Sequence, residues 1–288
     1  MAEQTKICVF GLGEAGTLIS TDLQKAGAEV YAFDPADVAT PEGVRRFAHP
    51  SLAVRFADLV LAITGGADAK LALLQSLEAI RPDALYADLS SSSPELKNEL
   101  AEHAGKRDLD FADVALMGIV PGNGVATTSL VSGSGANRYM ETMNGFGGRV
   151  ETVVGPPGTA VSKKLLRSIM MKGISAVMVE AVHAGASVDD LDWLWSTMAN
   201  EITAADERWM RRLILGSKQH AGRRMDEMEA AAQMLEGLGL SSTMTRATVA
   251  SLTELIDGEL PPLPEPDGTS IALAGTPKPT IVPSDPDD

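Results

Sequence analysis

The sequence predicts an α/β domain followed by an all-α domain. Through residue 157, short β-rich apolar runs alternate with helical stretches, the rhythm of a parallel sheet with crossover helices. From residue 158 to residue 258 no strand pattern follows, and long helical periodicities take over. A glycine-rich turn joins the first apolar run to the first helical stretch, the arrangement of a nucleotide-binding α/β unit.

The strands read as "KICVFG", "AEVYAF", "DLVLAIT", "ALYADLS", "LDFADVAL" and "TTSLVSG". Their nearly unbroken apolar character suits strands covered on both faces. Between the first two, Ala15, Leu18, Ile19, Leu23 and Ala26 recur at helical spacing, and Gly27 ends that helix. The second half reads as three long helical stretches, beginning at "TAVSKKLL", "VDDLDWLW" and "AGRRMDEM", with Gly185, Gly216 and Gly239 as punctuation. The boundary falls at "VGPPGTA". Residues 259–288 form an acidic tail with half of the chain's 16 prolines, expected to be extended.

Composition narrows the function. With 44% hydrophobic and 22% charged residues, the 288-residue chain can bury a real core. Its net charge of −15 argues against a nucleic-acid surface, and no apolar run is long enough for a membrane span. The N-terminal segment lacks a secretory pattern, so the expected location is the cytoplasm. A single cysteine, Cys8, excludes an internal disulfide, and His49, His103 and His183 show no metal-ligand spacing. No metal is expected.

"VFGLGEAGTLIS" carries Gly11, Gly13 and Gly16 between strand and helix. Gly11 permits the turn, Gly13 lets backbone N–H groups approach a diphosphate, and Gly16 lets helix and strand pack closely. Leu12, Glu14 and Ala15 complete the turn at a helix N-terminus, where an anion is favoured. At the end of the second strand Asp34 stands where a carboxylate accepts ribose hydroxyls. These features predict a Rossmann-type domain that binds NAD, with NADP as the alternative. Thr64, Gly65 and Ser90, after later strands, are further expected cofactor contacts.

With these residues the chain resembles the β-hydroxyacid dehydrogenase family, which includes 6-phosphogluconate and 3-hydroxyisobutyrate dehydrogenases. The resemblance runs through "VFGLGEAGTLISTDLQKAGAEVYAFD", "ADLSSSSP", "FADVALMG" and "GPPGTAVSKKLLRS", in family order. Further on, "AGRRMDEMEAAAQMLEGLGL" is similar to a less characterised 6-phosphogluconate dehydrogenase-like subgroup. The resemblance implies a Rossmann domain, a long interdomain helix, and a helical domain that forms a homodimer. It also implies an active site between the domains.

The family's catalytic lysine falls on Lys164, which the resemblance makes the acceptor of the substrate's hydroxyl proton. A lysine desolvated beside a cationic ring sheds its proton more readily, which makes it a usable base. Lys163 points elsewhere on the helix. The family asparagine is replaced by Ser168, and Lys172 follows on the same helix face. Lys172 lies in an apolar stretch, where it either reaches water or an ion-pair partner, or serves the acid–base step or substrate binding.

Met117, before Gly118, stands where the family has a serine that contacts a substrate carboxylate, which suggests a bulkier or less polar substrate group. Ser90 and Ser91 either face nicotinamide and substrate or form a capping turn before Pro94. His220, Arg223 and Arg224 either bring a cation to the substrate or lie on an exposed helix laced with Arg–Glu pairs. Trp193, Trp195 and Trp209 suit a core, a dimer interface or a pocket wall.

The expected function is therefore hydride transfer between a nicotinamide cofactor and a hydroxyacid or related alcohol. Two alternatives stand beside it. One is imine reduction, for which related enzymes typically replace the lysine; the other is an inactive dinucleotide-binding sensor or assembly protein.

Overall fold

The computed structural model describes residues 4–265. Residues 266–288, most of the acidic tail, lie outside the described residues, and residues 259–265 form neither helix nor strand. The chain divides into two compact units, one through Arg167 and one from Ser168 onwards.

The first unit is built on one sheet of eight strands: β1 Lys6–Phe10, β2 Glu29–Phe33, β3 Arg45–Arg46, β4 Leu59–Ala62, β5 Leu85–Asp88, β6 Asp110–Leu116, β7 Thr128–Ser132 and β8 Arg149–Thr152. Their spatial order is β3-β2-β1-β4-β5-β6-β7-β8. All six runs read as strands are strands. The sequence pattern misses β3 and β8, both edge strands with little apolar content. Arg45 and Arg46 form β3 after an irregular loop.

One pairing departs from the expected parallel sheet. β6 and β7 run antiparallel, because the chain between them makes only a short 3-10 turn, Gly124–Ala126, with no crossover helix.

Alternating side chains of β1 feed two cores. Ile7 and Val9 pack with Ile19 and Leu23 of α1 (Glu14–Lys25) and with Tyr139 and Met143 of α5 (Ala136–Gly145). Cys8 and Phe10 pack on the other face with Leu73 of α3 (Ala69–Ser76) and Leu100 of α4 (Pro94–Gly105), beside the short α2 (Pro50–Ala53). Both faces are covered, which is why these strands read as continuous apolar runs. Gly27 follows α1 with φ +97°, a backbone conformation that suits a helix stop.

A long helix, α6 (Thr159–Ser187), starts in the first unit and continues into the second. The remaining helices are α7 Leu191–Thr203, α8 Glu207–Gln219, α9 Ala221–Gly237 and α10 Thr243–Asp257. The stretch read as one helix from "VDDLDWLW" is two, broken at Ala204–Asp206, where Asp206 caps α8 through the Trp209 N–H. Gly185 and Gly216 do not end helices. A Cβ at Gly185 would come within 2.8 Å of Leu194, so this glycine serves close packing of α7 on α6. Gly239 does follow a helix end, with φ +71°.

Among the described residues no helix is long and apolar enough to cross a membrane.

Candidate active site and nucleotide cleft

The glycine turn leaves β1 at the point where the sheet order reverses, between β1 and β4, where doubly wound folds bind ligands. Gly11 takes φ +89° and its N–H donates to the Phe33 carbonyl at 2.9 Å, tying the turn to β2. A Cβ at Gly16 would lie 1.9 Å from the Gly11 carbonyl oxygen, so this glycine is required by packing alone. Gly13 differs from both. Its φ is −66°, which any residue adopts, and a Cβ there would meet nothing within 4 Å. The protein itself does not demand a glycine here; the space beside it does.

That space belongs to a cleft of about 730 Å³, lined among others by Gly11, Gly13, Asp34, His49, Thr64 and Gly65. No side chain caps the N-terminus of α1, which leaves first-turn N–H groups for an anion. The Thr64 hydroxyl oxygen is buried without a hydrogen-bond partner. An open position at Gly13, an uncapped helix start and an unsatisfied hydroxyl on one cleft fit a dinucleotide.

Asp34 is more constrained than its sequence position suggests. One carboxylate oxygen accepts the Leu12 N–H at 2.6 Å and the other the Ala36 N–H at 2.8 Å. Asp34 therefore braces the glycine turn, and each oxygen keeps a second lone pair for a ribose hydroxyl. Arg46 does not stand free for a 2′-phosphate. Its guanidinium donates to the carbonyls of Val38 at 2.6 Å and Asp34 at 2.9 Å, and to that of Ala36. Leu12 is buried, Ala15 half-buried and Glu14 exposed.

At the C-terminal end of β5 the two adjacent serines part company. Ser90 is buried; its N–H and its hydroxyl each donate to the Asp88 carboxylate at 3.0 Å. The structure thus commits Ser90 to an internal network and does not bring it into the nucleotide cleft. Ser91 is exposed, and its hydroxyl oxygen accepts a hydrogen bond from Lys164 Nζ at 2.6 Å. Lys164 is half-buried on α6, while Lys163 is exposed. Two residues 73 positions apart, each singled out in sequence, meet in one contact. Met117 is half-buried against Ala115, Leu130 and Ala160, and the exposed Gly118 follows it.

Within the second unit, Ser168 is half-buried and Lys172 exposed on α6. His220 is exposed at the α8–α9 junction. Arg223 pairs with Glu227 at 3.1 Å along α9, and Arg224 donates to the Ser217 hydroxyl at 2.8 Å. Trp193 and Trp195 are more than 60% exposed, and Trp209 donates to Glu201 at 3.0 Å.

Sequence reasoning missed Lys97, Asp88 and Asp113, which form a wholly buried ionic cluster beside Ser90. The two aspartates lie inside segments quoted for the family resemblance. Lys97, in "PELKNEL", reads as an ordinary solvated helix lysine.

The sequence pattern described as the NAD binding domain of 6-phosphogluconate dehydrogenase matches residues 6–153, just over half of the chain. The chain belongs to this family. It therefore has an NAD(P)-binding domain of the hydroxyacid dehydrogenase-like type. Residues 187–255 match a domain of unknown function, DUF1932.

The mitochondrial 3-hydroxyisobutyrate dehydrogenase of Drosophila melanogaster is 29% identical over 188 residues, covering 61% of this chain and 58% of that enzyme. The match thus spans less than two thirds of the fly enzyme. The 2-(hydroxymethyl)glutarate dehydrogenase of Eubacterium barkeri is 20% identical over 272 residues, 90% of each chain. The imine reductase of Myxococcus stipitatus, solved with NADP+, superposes with a TM-score of 0.73 at 16% identity, covering 86% of this chain and 93% of that one. It shares the fold.

Proposed function

We propose that this protein is an NAD-dependent dehydrogenase of a hydroxyacid or related alcohol, with Lys164 as the general acid–base. The observation that carries this reading is the 2.6 Å hydrogen bond from Lys164 to Ser91, which ties the family lysine to the loop after β5. The named dehydrogenase relatives support the same class of substrate.

A nicotinamide cofactor in the glycine-turn cleft would supply the hydride acceptor for oxidation of the carbinol carbon. The chain's own part is to hold and move the proton. Lys164 Nζ takes the hydroxyl proton, and the Ser91 hydroxyl fixes where that nitrogen stands. A base held by a neighbouring hydroxyl loses less freedom on reaching its working geometry. Gly13 and the start of α1 would hold the diphosphate and Asp34 the adenosine ribose, and Thr64 offers its unsatisfied hydroxyl within the same cleft.

Met117 beside Gly118 supports a substrate group less polar than a bare carboxylate at that position. Lys172, Ser168, His220 and Arg223 are the polar groups of the helical part available for recognising the substrate's acid. Retention of Lys164 favours alcohol oxidation over imine reduction.

We further propose a homodimer through the helical part. Leu166, Ile169, Met170, Trp193 and Trp195 on α6 and α7 are each more than half exposed, more apolar surface than a monomer ordinarily leaves to water. A reducing compartment such as the cytoplasm suits the one cysteine, Cys8, a buried thiol.

The test is a screen of hydroxyacids and cyclic imines with NAD and NADP, read by nicotinamide absorbance. Turnover of a hydroxyacid supports the reading. Turnover of imines alone replaces it with imine reduction. Cofactor binding without turnover of any compound replaces it with the sensor reading.

A further inference from the structure

Lys97 of α4 has no exposed surface. Its ammonium donates to the Asp88 backbone carbonyl at 2.8 Å and stands 3.1 Å from Asp88 Oδ2 and 3.3 Å from Asp113 Oδ1. Asp88 and Asp113 are register partners on the adjacent strands β5 and β6. One buried cation thus serves two buried carboxylates, and the cluster carries a formal charge of −1. Such a cluster is costly to bury, so its geometry calls for an explanation.

Each carboxylate reaches one side of the Ser91–Lys164 contact. Asp88 accepts both the N–H and the hydroxyl of Ser90, and so fixes the loop that presents Ser91. Asp113 Oδ2 accepts the Gly158 N–H at 2.9 Å, the Val161 N–H at 3.2 Å and the Ser132 hydroxyl at 3.1 Å. Gly158 and Val161 are at the start of α6, whose first turn would otherwise leave its N–H groups unpaired. Lys164 follows Val161 by three residues and lies one turn along the same helix. The chain of contacts closes on itself: Ser91, Ser90, Asp88, Lys97, Asp113, the start of α6, Lys164, and back to Ser91.

We infer that Lys97 is a positioning residue, whose shared ammonium holds the Ser91 loop and the start of α6 in register and so places Lys164. The functional meaning of that placement rests on the reading of Lys164 as the proton acceptor. Without the ammonium, two buried like charges on neighbouring strands face each other, and one must move or take up a proton. Either outcome disturbs one side of the contact.

The test compares Lys97→Met with the double variant Lys97→Met, Asp113→Asn in the full-length protein. The double variant keeps the cluster's charge at −1 and keeps an oxygen acceptor for Gly158 and Val161. The first readout is the labelling rate of Lys164 by trinitrobenzenesulfonate relative to Lys163, resolved by peptide mass spectrometry. The second is hydrogen exchange at residues 158–161, and the third is NADH affinity by fluorescence.

Lys97→Met is expected to change the Lys164:Lys163 ratio several-fold and to speed exchange at 158–161 by about tenfold or more. NADH affinity should stay within a factor of about two, because the glycine turn is untouched. The double variant is expected to restore the wild-type ratio. An unchanged ratio in Lys97→Met, or a folded double variant that fails to restore it, overturns the inference. Should Lys97→Met not fold, the double variant decides alone: a wild-type ratio supports charge balance as the device, and an altered ratio overturns it. Labelling and exchange need no substrate, so absence of turnover would sink the proposed activity and leave this result standing.

Discussion

Gly13 and Gly16 are three residues apart in one turn, yet the structure assigns them opposite roles, and alanine separates them. At Gly16 the new methyl would lie 1.9 Å from the Gly11 carbonyl oxygen and 2.9 Å from its carbon, and neither backbone atom can yield cheaply. An overpacked site of this kind costs about 3 kcal/mol. For a unit of this size, at roughly 2–4 °C per kcal/mol, Gly16→Ala should lower Tm by about 10 °C.

At Gly13 the methyl meets nothing within 4 Å and φ is already −66°. The only folding cost is that of alanine at a helix N-cap, about 1 kcal/mol or less. The methyl would instead enter the space the diphosphate needs. Gly13→Ala should therefore weaken NADH at least about tenfold, or ~1.4 kcal/mol, while leaving the fold nearly as stable. Thermal unfolding and NADH fluorescence titration measure the two effects. A Gly13→Ala variant that binds NADH like wild type would refute the placement of the diphosphate, whatever Gly16→Ala does.

Asp34 at the ribose position and Arg46 committed to three carbonyls lead to tighter binding of NADH than of NADPH; equal or reversed affinities in direct titration would show that a 2′-phosphate is accommodated. The exposed apolar residues of α6 and α7 lead to a dimeric mass by light scattering at micromolar concentration, and a monomeric mass counts against the interface. Glu180 accepts the N–H groups of Met244 and Thr245 and the Thr245 hydroxyl, at 2.6–2.8 Å. Burial pushes its carboxyl up, but these three bonds outweigh burial and hold it below the ordinary carboxylate range. A depressed folded value stabilises above the unfolded pKa and is lost as pH falls through the folded one. Glu180→Gln should therefore cost about 1 kcal/mol at neutral pH, with the gap closing below about pH 4. A pH-independent gap in denaturant titrations would show that the charge is not what matters.

The central strands were legible because burial on both faces leaves a nearly continuous apolar code, as in "DLVLAIT". β8, with Val150 as its single buried residue, and the two-residue β3 carry no such code. The antiparallel turn of β7 was hidden for a different reason. Strand direction depends on what connects two strands: residues 117–127, with "PGNG" at their centre, are too short and too rich in turn residues for a crossover helix, a signal that the strand patterns alone do not contain. Glycines misled where they serve packing: Gly185 looks like a stop but admits Leu194.

For the site, Gly13 and Asp34 stand out because motif spacing reports a local backbone path, and Lys164 stands out only through the family resemblance. Asp34's bond to Leu12 and the pairing of Lys164 with Ser91 join segments distant in sequence and become visible only in three dimensions. Lys97 had no signal at all. A buried lysine and a solvated one look alike until the partners are in place.

Proton transfer by Lys164 in a nicotinamide-dependent oxidation is the step on which the proposed function rests. Its most direct measurement is the turnover of Lys164→Met beside Lys163→Met, on a hydroxyacid the wild type oxidises. NADH affinity and circular dichroism are followed in both. Lys164→Met keeps a long unbranched side chain, so folding and NADH binding should hold while turnover falls by roughly 10²–10⁴, the usual worth of a positioned general base. Lys163→Met, whose side chain is exposed, should turn over almost as the wild type does. An active Lys164→Met beside an inactive Lys163→Met would move the base by one residue. Full activity in both variants would contradict the lysine mechanism for this protein.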